Sequence, residues 1–204
     1  MHYPISDGQW GFSRGTSTTA ALLSFSHDCL QSLNNKNEIC PVFFDISKAF
    51  DSVPHALFTP KINLNPSHCK MDPKLPILPT TICVVVNGTQ SLTLPVVSRV
   101  PQGSVLDPLL FLIYINVITC VISNGKVSVY ANDIVLYQII CSPMDSILLQ
   151  QDVISICAWV DQNLLLLNTL KCFYFNFFNY KSLHVMHGYR NSKLLTCTQS
   201  YNRE

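Results

Sequence analysis

Asp45 and Asp133 have the strongest claim to chemistry in this chain of 204 residues. Asp45 stands near the end of a short apolar run at 39–46 (ICPVFFDI), and Asp133 follows another at 127–131, with Asn132 between. Carboxylate oxygens are the ligands magnesium prefers, and phosphoryl transfer with two metals about 4 Å apart needs several of them from separate strands. If the two runs are neighbouring strands, both acids can reach one divalent ion. A plainer reading stands beside this one. An aspartate after a strand often caps the next helix, and one at a hairpin turn often serves the turn. Spacing alone leaves both readings open.

The elements that must position these acids can be read from periodicity and turn chemistry. Ser17 precedes a run in which Leu22, Phe25, Cys29 and Leu33 recur at helical spacing, predicting a capped amphipathic helix over 17–33. Residues 39–46 are β-prone and bounded by a polar loop and by a helix start near Ser47, the signature of a buried strand. Pro60, Pro66, Pro73, Pro76 and Pro79 make a long helix or central strand within 56–80 untenable. Asn87-Gly88 between strand-like runs at 81–86 and 89–97 predicts a hairpin, and Pro95 places its second strand at an edge. Ser104 and Asp107 form a capping box for the apolar stretch 109–122, which is too short to span a bilayer and reads as a buried helix. Runs 127–131 and 134–140 form a second hairpin with Asp133 at its tip. Leu149, Val153, Ile156 and Val160 mark a helix over about 144–162, and 164–168 and 172–178 look like strands. This mixed order predicts an α+β fold, an antiparallel sheet with helices packed on one face.

Hydrophobic residues make up 48% of the chain and charged residues 12%, so little of the surface can be strongly solvated. The formal net charge of +1 gives no basic excess of the kind that tracks a nucleic-acid backbone. The 9 cysteines are odd in number, scattered and never spaced C-x-x-C, which excludes a zinc framework or a secreted disulfide scaffold. Free thiols in a reducing compartment, cytoplasm or nucleus, are expected. The first residues lack the basic end and apolar run of a signal peptide, and no membrane partner is expected.

The words around the acids are more specific than the acids themselves. Phe43-Phe44-Asp45-Ile46-Ser47-Lys48-Ala49-Phe50-Asp51 resembles the first metal-binding motif of LINE-type (non-LTR retrotransposon) reverse transcriptases. Val100-Pro101-Gln102-Gly103-Ser104 and the apolar segment after it resemble the next motif, and Tyr130-Ala131-Asn132-Asp133 resembles the family's Tyr-Ala-Asp-Asp hairpin. Gln9-Trp10-Gly11-Phe12 with Gly15 is similar to the fingers motif, and Leu167-Asn168 with Lys171-Cys172 to the later palm motif. The resemblance runs from about residue 9 to 175. It implies a polymerase palm with partial fingers over 1–180 and a tail of unknown structure at 181–204. It also implies RNA-directed addition of deoxynucleotides to a DNA primer on an RNA template, with Mg2+ as cofactor. In that scheme Asp45 and Asp133 hold metal, and the carbonyl of Ile46 helps hold the metal of the nucleotide. Phe50 lies under the sugar and excludes a 2′-hydroxyl, unless it is simply a core aromatic. Gln102 and Gly103 line the path of template and nucleotide. Lys171 sits near the leaving pyrophosphate, unless it is simply a surface lysine.

Departures from the family pattern point to impaired catalysis. Asn132 replaces the first hairpin aspartate and cannot supply its charge to two metals. Arg99 and Asp107 replace usual glycines, Val117 a common acid, and Ser13 and Thr16 usual basic residues. An endonuclease domain, most of the fingers and a thumb are not recognisable, and a non-enzymatic remnant or weak RNA-binding fragment is the alternative to an enzyme. The segment 56–80 matches nothing in the family, and its prolines predict loose packing. Limited proteolysis of the purified chain should therefore cut within 56–80 first, and protection there equal to that of 39–46 would count against the expectation.

Overall fold

The computed structural model describes residues 6–13, 15–55, 57, 81–98, 107–175 and 196–197. Among the expectations above, those for 58–80, the loop with Gln102 and Gly103, the Ser104 cap and most of the tail lie outside these residues.

Helix α1 (Thr18–Asn34) starts where Ser17 Oγ accepts the Ala20 N–H at 3.1 Å. Of the predicted stripe, Phe25, Cys29 and Leu33 are half-buried on the inward face and only Leu22 is exposed. Leu22, Leu23 and Leu30 are exposed, while Asp28 and Ser32 are buried. Polar partners set this phase. Asp28 Oδ2 accepts from Tyr137 Oη at 2.7 Å and from Lys126 Nζ at 2.8 Å, and Ser32 Oγ donates to the carbonyls of Asn37 and Glu38. Phe25 meets the Tyr137 ring edge-on at 5.0 Å.

Strand β1 (Glu38–Asp45) follows, then the short helix α2 (Ala49–Ser52). Strands β2 (Thr81–Ile82), β3 (Val85–Val86), β4 (Thr89–Gln90) and β5 (Leu94–Pro95) build the predicted hairpin, with β3 paired to β4 and β2 to β5. Asn87 (φ 51°) and Gly88 (φ 80°) take the left-handed geometry that a tight two-residue turn requires. Pro95 lies in a two-stranded pair, so its strand is an edge as expected.

Helix α3 (Asp107–Ile115) continues into a 3₁₀ segment (Asn116–Val121). Leu110, Phe111, Leu112, Ile113, Tyr114 and Ile115 are all at or below 2% exposed, as a helix apolar on every side must be. Strands β6 (Lys126–Tyr130) and β7 (Asp133–Ile140) form the second hairpin. Its turn is Ala131-Asn132, with Ala131 at φ 57°, so Asp133 opens β7 rather than standing at the tip. Helix α4 (Pro143–Gln162) begins with a capping box of Ser142 and Asp145 and buries Leu149, Val153, Ile156 and Val160 as predicted.

Residues 164–168 do not form a strand. Leu164 has φ 55°, and only Leu167 bridges the main sheet, opposite Ile46. Strands β8 (Phe173–Tyr174) and β9 (Thr196–Cys197) complete the chain, and β9 places a strand in what the sequence leaves as tail.

The main sheet has the order β6-β7-β1-β8-β9, antiparallel except for β8–β9. Side chains alternate across it. Cys40, Val42 and Phe44 of β1, with Ile134 and Leu136 of β7, pack into one core with α3 and α4. The opposite face carries Phe43, Asp45, Asp133 and Tyr137, and α1 crosses it at the Tyr137 end. The mixed α+β architecture read from the sequence is therefore present, but the helices are not confined to one face, because Phe25 and Asp28 dock α1 on Tyr137 opposite α3 and α4.

Asp152 of α4, 2% exposed, clamps the turn before β6. Its carboxylate accepts the backbone N–H groups of Ser123, Asn124 and Gly125 at 3.0, 2.9 and 2.7 Å. Removing it would leave three donors without an acceptor beneath the β6–β7 hairpin. Asp152→Ala should cost about 3 kcal/mol, since hydrogen bonds to buried charge are worth roughly 1.5–3 kcal/mol each and local rearrangement recovers part of the loss. Urea unfolding measures this, and a change below about 1 kcal/mol would show that the clamp is dispensable.

Candidate active site

The two acids meet because β1 and β7 are antiparallel neighbours in a register that pairs Asp45 with Asp133 directly. Asp45 is 6% exposed, whereas Asp133 is open to solvent. Partial burial raises the Asp133 carboxyl above its usual range, and the charge of Asp45 and a hydrogen bond between the two side chains raise it further, with Lys171 opposing. The juxtaposition expected from the sequence is thus present in the geometry.

Two other candidates converge on the same oxygen. Asn132 Nδ2 donates to Asp45 Oδ1 at 3.0 Å, and Lys171 Nζ lies 3.5 Å from it. The side chain of Lys171 remains 66% exposed against 9% for Asp45. Backbone bonds fix the cluster. The Ile46 N–H donates to the Asn132 carbonyl at 3.1 Å, and the Asn168 N–H to the Asp45 carbonyl at 2.8 Å. The Ile46 side chain is buried in the core. Phe50 is partly buried, its ring 4.7 Å from that of Phe111 on α3, so its first role in this structure is packing. Gln102 and Gly103 lie outside the described residues.

Sequence reasoning missed how tightly the fingers-like segment is bound to this hairpin. Val129 donates to the Gly8 carbonyl at 2.7 Å and accepts from the Trp10 N–H at 2.8 Å, so residues 8–11 lie along the free edge of β6. A Cβ on Gly11 would stand 2.6 Å from the Ala131 nitrogen, a contact only glycine avoids. The glycine in Gln9-Trp10-Gly11-Phe12 was the available signal. Asn168 was seen as part of a motif but not as the residue that ties the 164–168 segment to Asp45.

No group of three or more His, Cys, Asp or Glu side chains able to hold a metal occurs among the described residues. No helix among them is long and apolar enough to cross a membrane.

Fold and site together define a reverse-transcriptase-like polymerase domain. The fold matches that of apo telomerase from Candida tropicalis at a TM-score of 0.52 and 11% identity, covering 86% of this chain and 37% of that one. The family described as reverse transcriptase (RNA-dependent DNA polymerase) matches residues 1–195, and the chain belongs to it. Within it, the chain is similar to the non-LTR elements of Drosophila melanogaster. It is 28% identical over 176 residues to the probable RNA-directed DNA polymerase from transposon BS, covering 82% of this chain and 19% of that protein. It is 33% identical over 108 residues to the RNA-directed DNA polymerase from mobile element jockey, covering 52% of this chain and 12% of that one. The chain thus spans less than a fifth of the length of either relative.

The Asn132 contact yields a stability prediction. Asn132→Asp replaces a donor to Asp45 with a like charge, and facing like charges destabilise a sheet. In EDTA the variant should lose about 1 kcal/mol. An unchanged urea midpoint would show that the amide contributes nothing.

Proposed function

We propose that this chain is the palm and part of the fingers of a non-LTR retrotransposon reverse transcriptase, with residues 1–180 as the working unit, and that it does not polymerise. The ancestral task is template-directed addition of deoxynucleotides to the 3′ hydroxyl of a DNA primer on RNA. Asp45 and Asp133 are its surviving metal-site acids, with the Ile46 carbonyl beside them. Gln102 and Gly103 face template and nucleotide, Phe50 flanks the sugar, and Lys171 meets the phosphates.

The observation that carries the loss of activity is the hydrogen bond from Asn132 Nδ2 to Asp45 Oδ1. An amide beside a carboxylate must present its NH₂ group, because its oxygen would be repelled. Position 132 therefore directs a donor at the oxygen where the family has a metal ligand. The family generally uses divalent metal, but two carboxylates and an inward-turned amide do not fit a two-ion site. This favours the second reading, a retroelement domain that retains the polymerase fold and contacts RNA without copying it.

Loss of one charged ligand should remove about 3–4 kcal/mol of transition-state stabilisation, or roughly two to three orders of magnitude in rate. The purified chain with Mg2+, deoxynucleotides and a primed RNA template should give no measurable extension, and Asn132→Asp a trace at best. Robust extension by the unaltered chain, abolished by Asp45→Ala, would overturn the proposal.

A further inference from the structure

The sheet face that carries Asp45 and Asp133 also holds a cleft of about 320 Å3, bounded by α1, the edge strand β6 and residues 6–10. Lys126 pairs with Tyr137 and Tyr130 with Asp133, so the cleft lies four residues along β6 from the acids. At ~3.4 Å per residue that is about 14 Å. Trp10, Phe25 and Tyr137 supply aromatic walls, Ser24 stands at the rim, and Asp28 and Lys126 supply charge.

Asp28 is 9% exposed and only half occupied. Both of its donors, Tyr137 Oη and Lys126 Nζ, bind Oδ2, and Oδ1 takes no hydrogen bond among the described residues. Oδ1 is not among the buried atoms left without a partner, so it reaches solvent and can accept an N–H group from a ligand. Lys126 has two further ammonium hydrogens, and 65% of its side chain is exposed.

The volume lies at the lower end of ligand sites, which suits one flat heterocycle rather than a larger molecule. Asp7 and Asp28 against Lys126 disfavour a phosphate deep inside but not a neutral base, and the exposed ammonium can meet a phosphate at the rim. We infer that the cleft takes one unpaired base of an RNA strand, which stacks on Trp10 and Phe25 and donates its exocyclic amine to Asp28 Oδ1. Adenine, cytosine and guanine carry such an amine, whereas the one ring N–H that uracil presents on its pairing edge, N3–H, is flanked by two carbonyl oxygens that the carboxylate repels. At a rise of about 3.4 Å per nucleotide, the site lies roughly four nucleotides from the acids. The inference rests on the reverse-transcriptase reading, since that reading brings an RNA strand across this face.

The test is fluorescence anisotropy with labelled short oligoadenylate and oligouridylate on the full chain. Oligoadenylate should bind about tenfold more tightly. Asp28→Asn should abolish the preference, because the amide must keep its oxygen toward Tyr137 and Lys126 and turn its NH₂ toward the base. Ser24→Trp, at an exposed position of α1 one turn before Asp28, fills the cleft while leaving the Asp28 carboxylate in place and should weaken oligoadenylate to the level of oligouridylate. Equal affinity for the two oligomers, or a preference that survives Ser24→Trp, overturns the cleft and leaves the reverse-transcriptase reading standing. Absence of all RNA binding overturns both. A change of Trp10 fluorescence with an arginine-rich peptide but not with oligoadenylate assigns the cleft to a protein partner and also overturns the inference.

Discussion

The structure depends on one register, the antiparallel ladder between β1 and β7 that runs from Glu38 opposite Ile140 to Asp45 opposite Asp133. A slip of one residue would send every side chain to the other face of the sheet. Val42 and Phe44 would then leave the core they share with Ile134, Leu136, α3 and α4, while Phe43 and Asp45 would enter it. The apolar alternation that makes the core thus also places the two acids together on the open face. Hydrophobic packing sets the geometry of the charged site.

That geometry sets two carboxyls side by side at a strand end, an arrangement that sheets normally avoid. Asp45 is relieved from two directions, by the Asn132 amide and the Lys171 ammonium on one oxygen. Asp133 is relieved less, and its carboxyl is held above its ordinary range by burial and by Asp45. The bonds from Ile46 to the Asn132 carbonyl and from Asn168 to the Asp45 carbonyl tie the turn, α2 and the 164–168 segment to the same point. Three parts of the chain distant in sequence therefore meet at Asp45.

What the sequence disclosed follows from local physics. Residues 39–46, the Asn87-Gly88 turn, the buried run after position 109 and the α4 stripe were legible because strand alternation, turn chemistry and helical periodicity are short-range. The site acids were legible because their neighbours form long motif words. The stripe of α1 was legible at Phe25, Cys29 and Leu33, but its buried polar centre was not, because Asp28 binds Tyr137 and Lys126 about a hundred positions away. A leucine at helical spacing points inward only if nothing polar outbids it. Asp152 was hidden for the same reason, since its three partners lie across the hairpin and their N–H groups carry no sequence signal. The 164–168 segment misled because a short run of four consecutive leucines imitates a buried strand, while Leu164 adopts a left-handed φ just after helix α4 and turns the chain.

Asn132 has two effects that come from one contact. Its amide answers the carboxylate repulsion that the β1–β7 register imposes, and by doing so it removes the charge that would make the site attractive to a pair of dications. In a polymerase that turns over, that repulsion is held by metal, and the protein without metal bears the strain. Here the Asn132 amide and the Lys171 ammonium both reach Asp45 Oδ1, so the protein itself meets part of that repulsion. Under the reading proposed above, the palm stays intact after polymerisation is lost, because stability and catalysis act on position 132 in opposite directions.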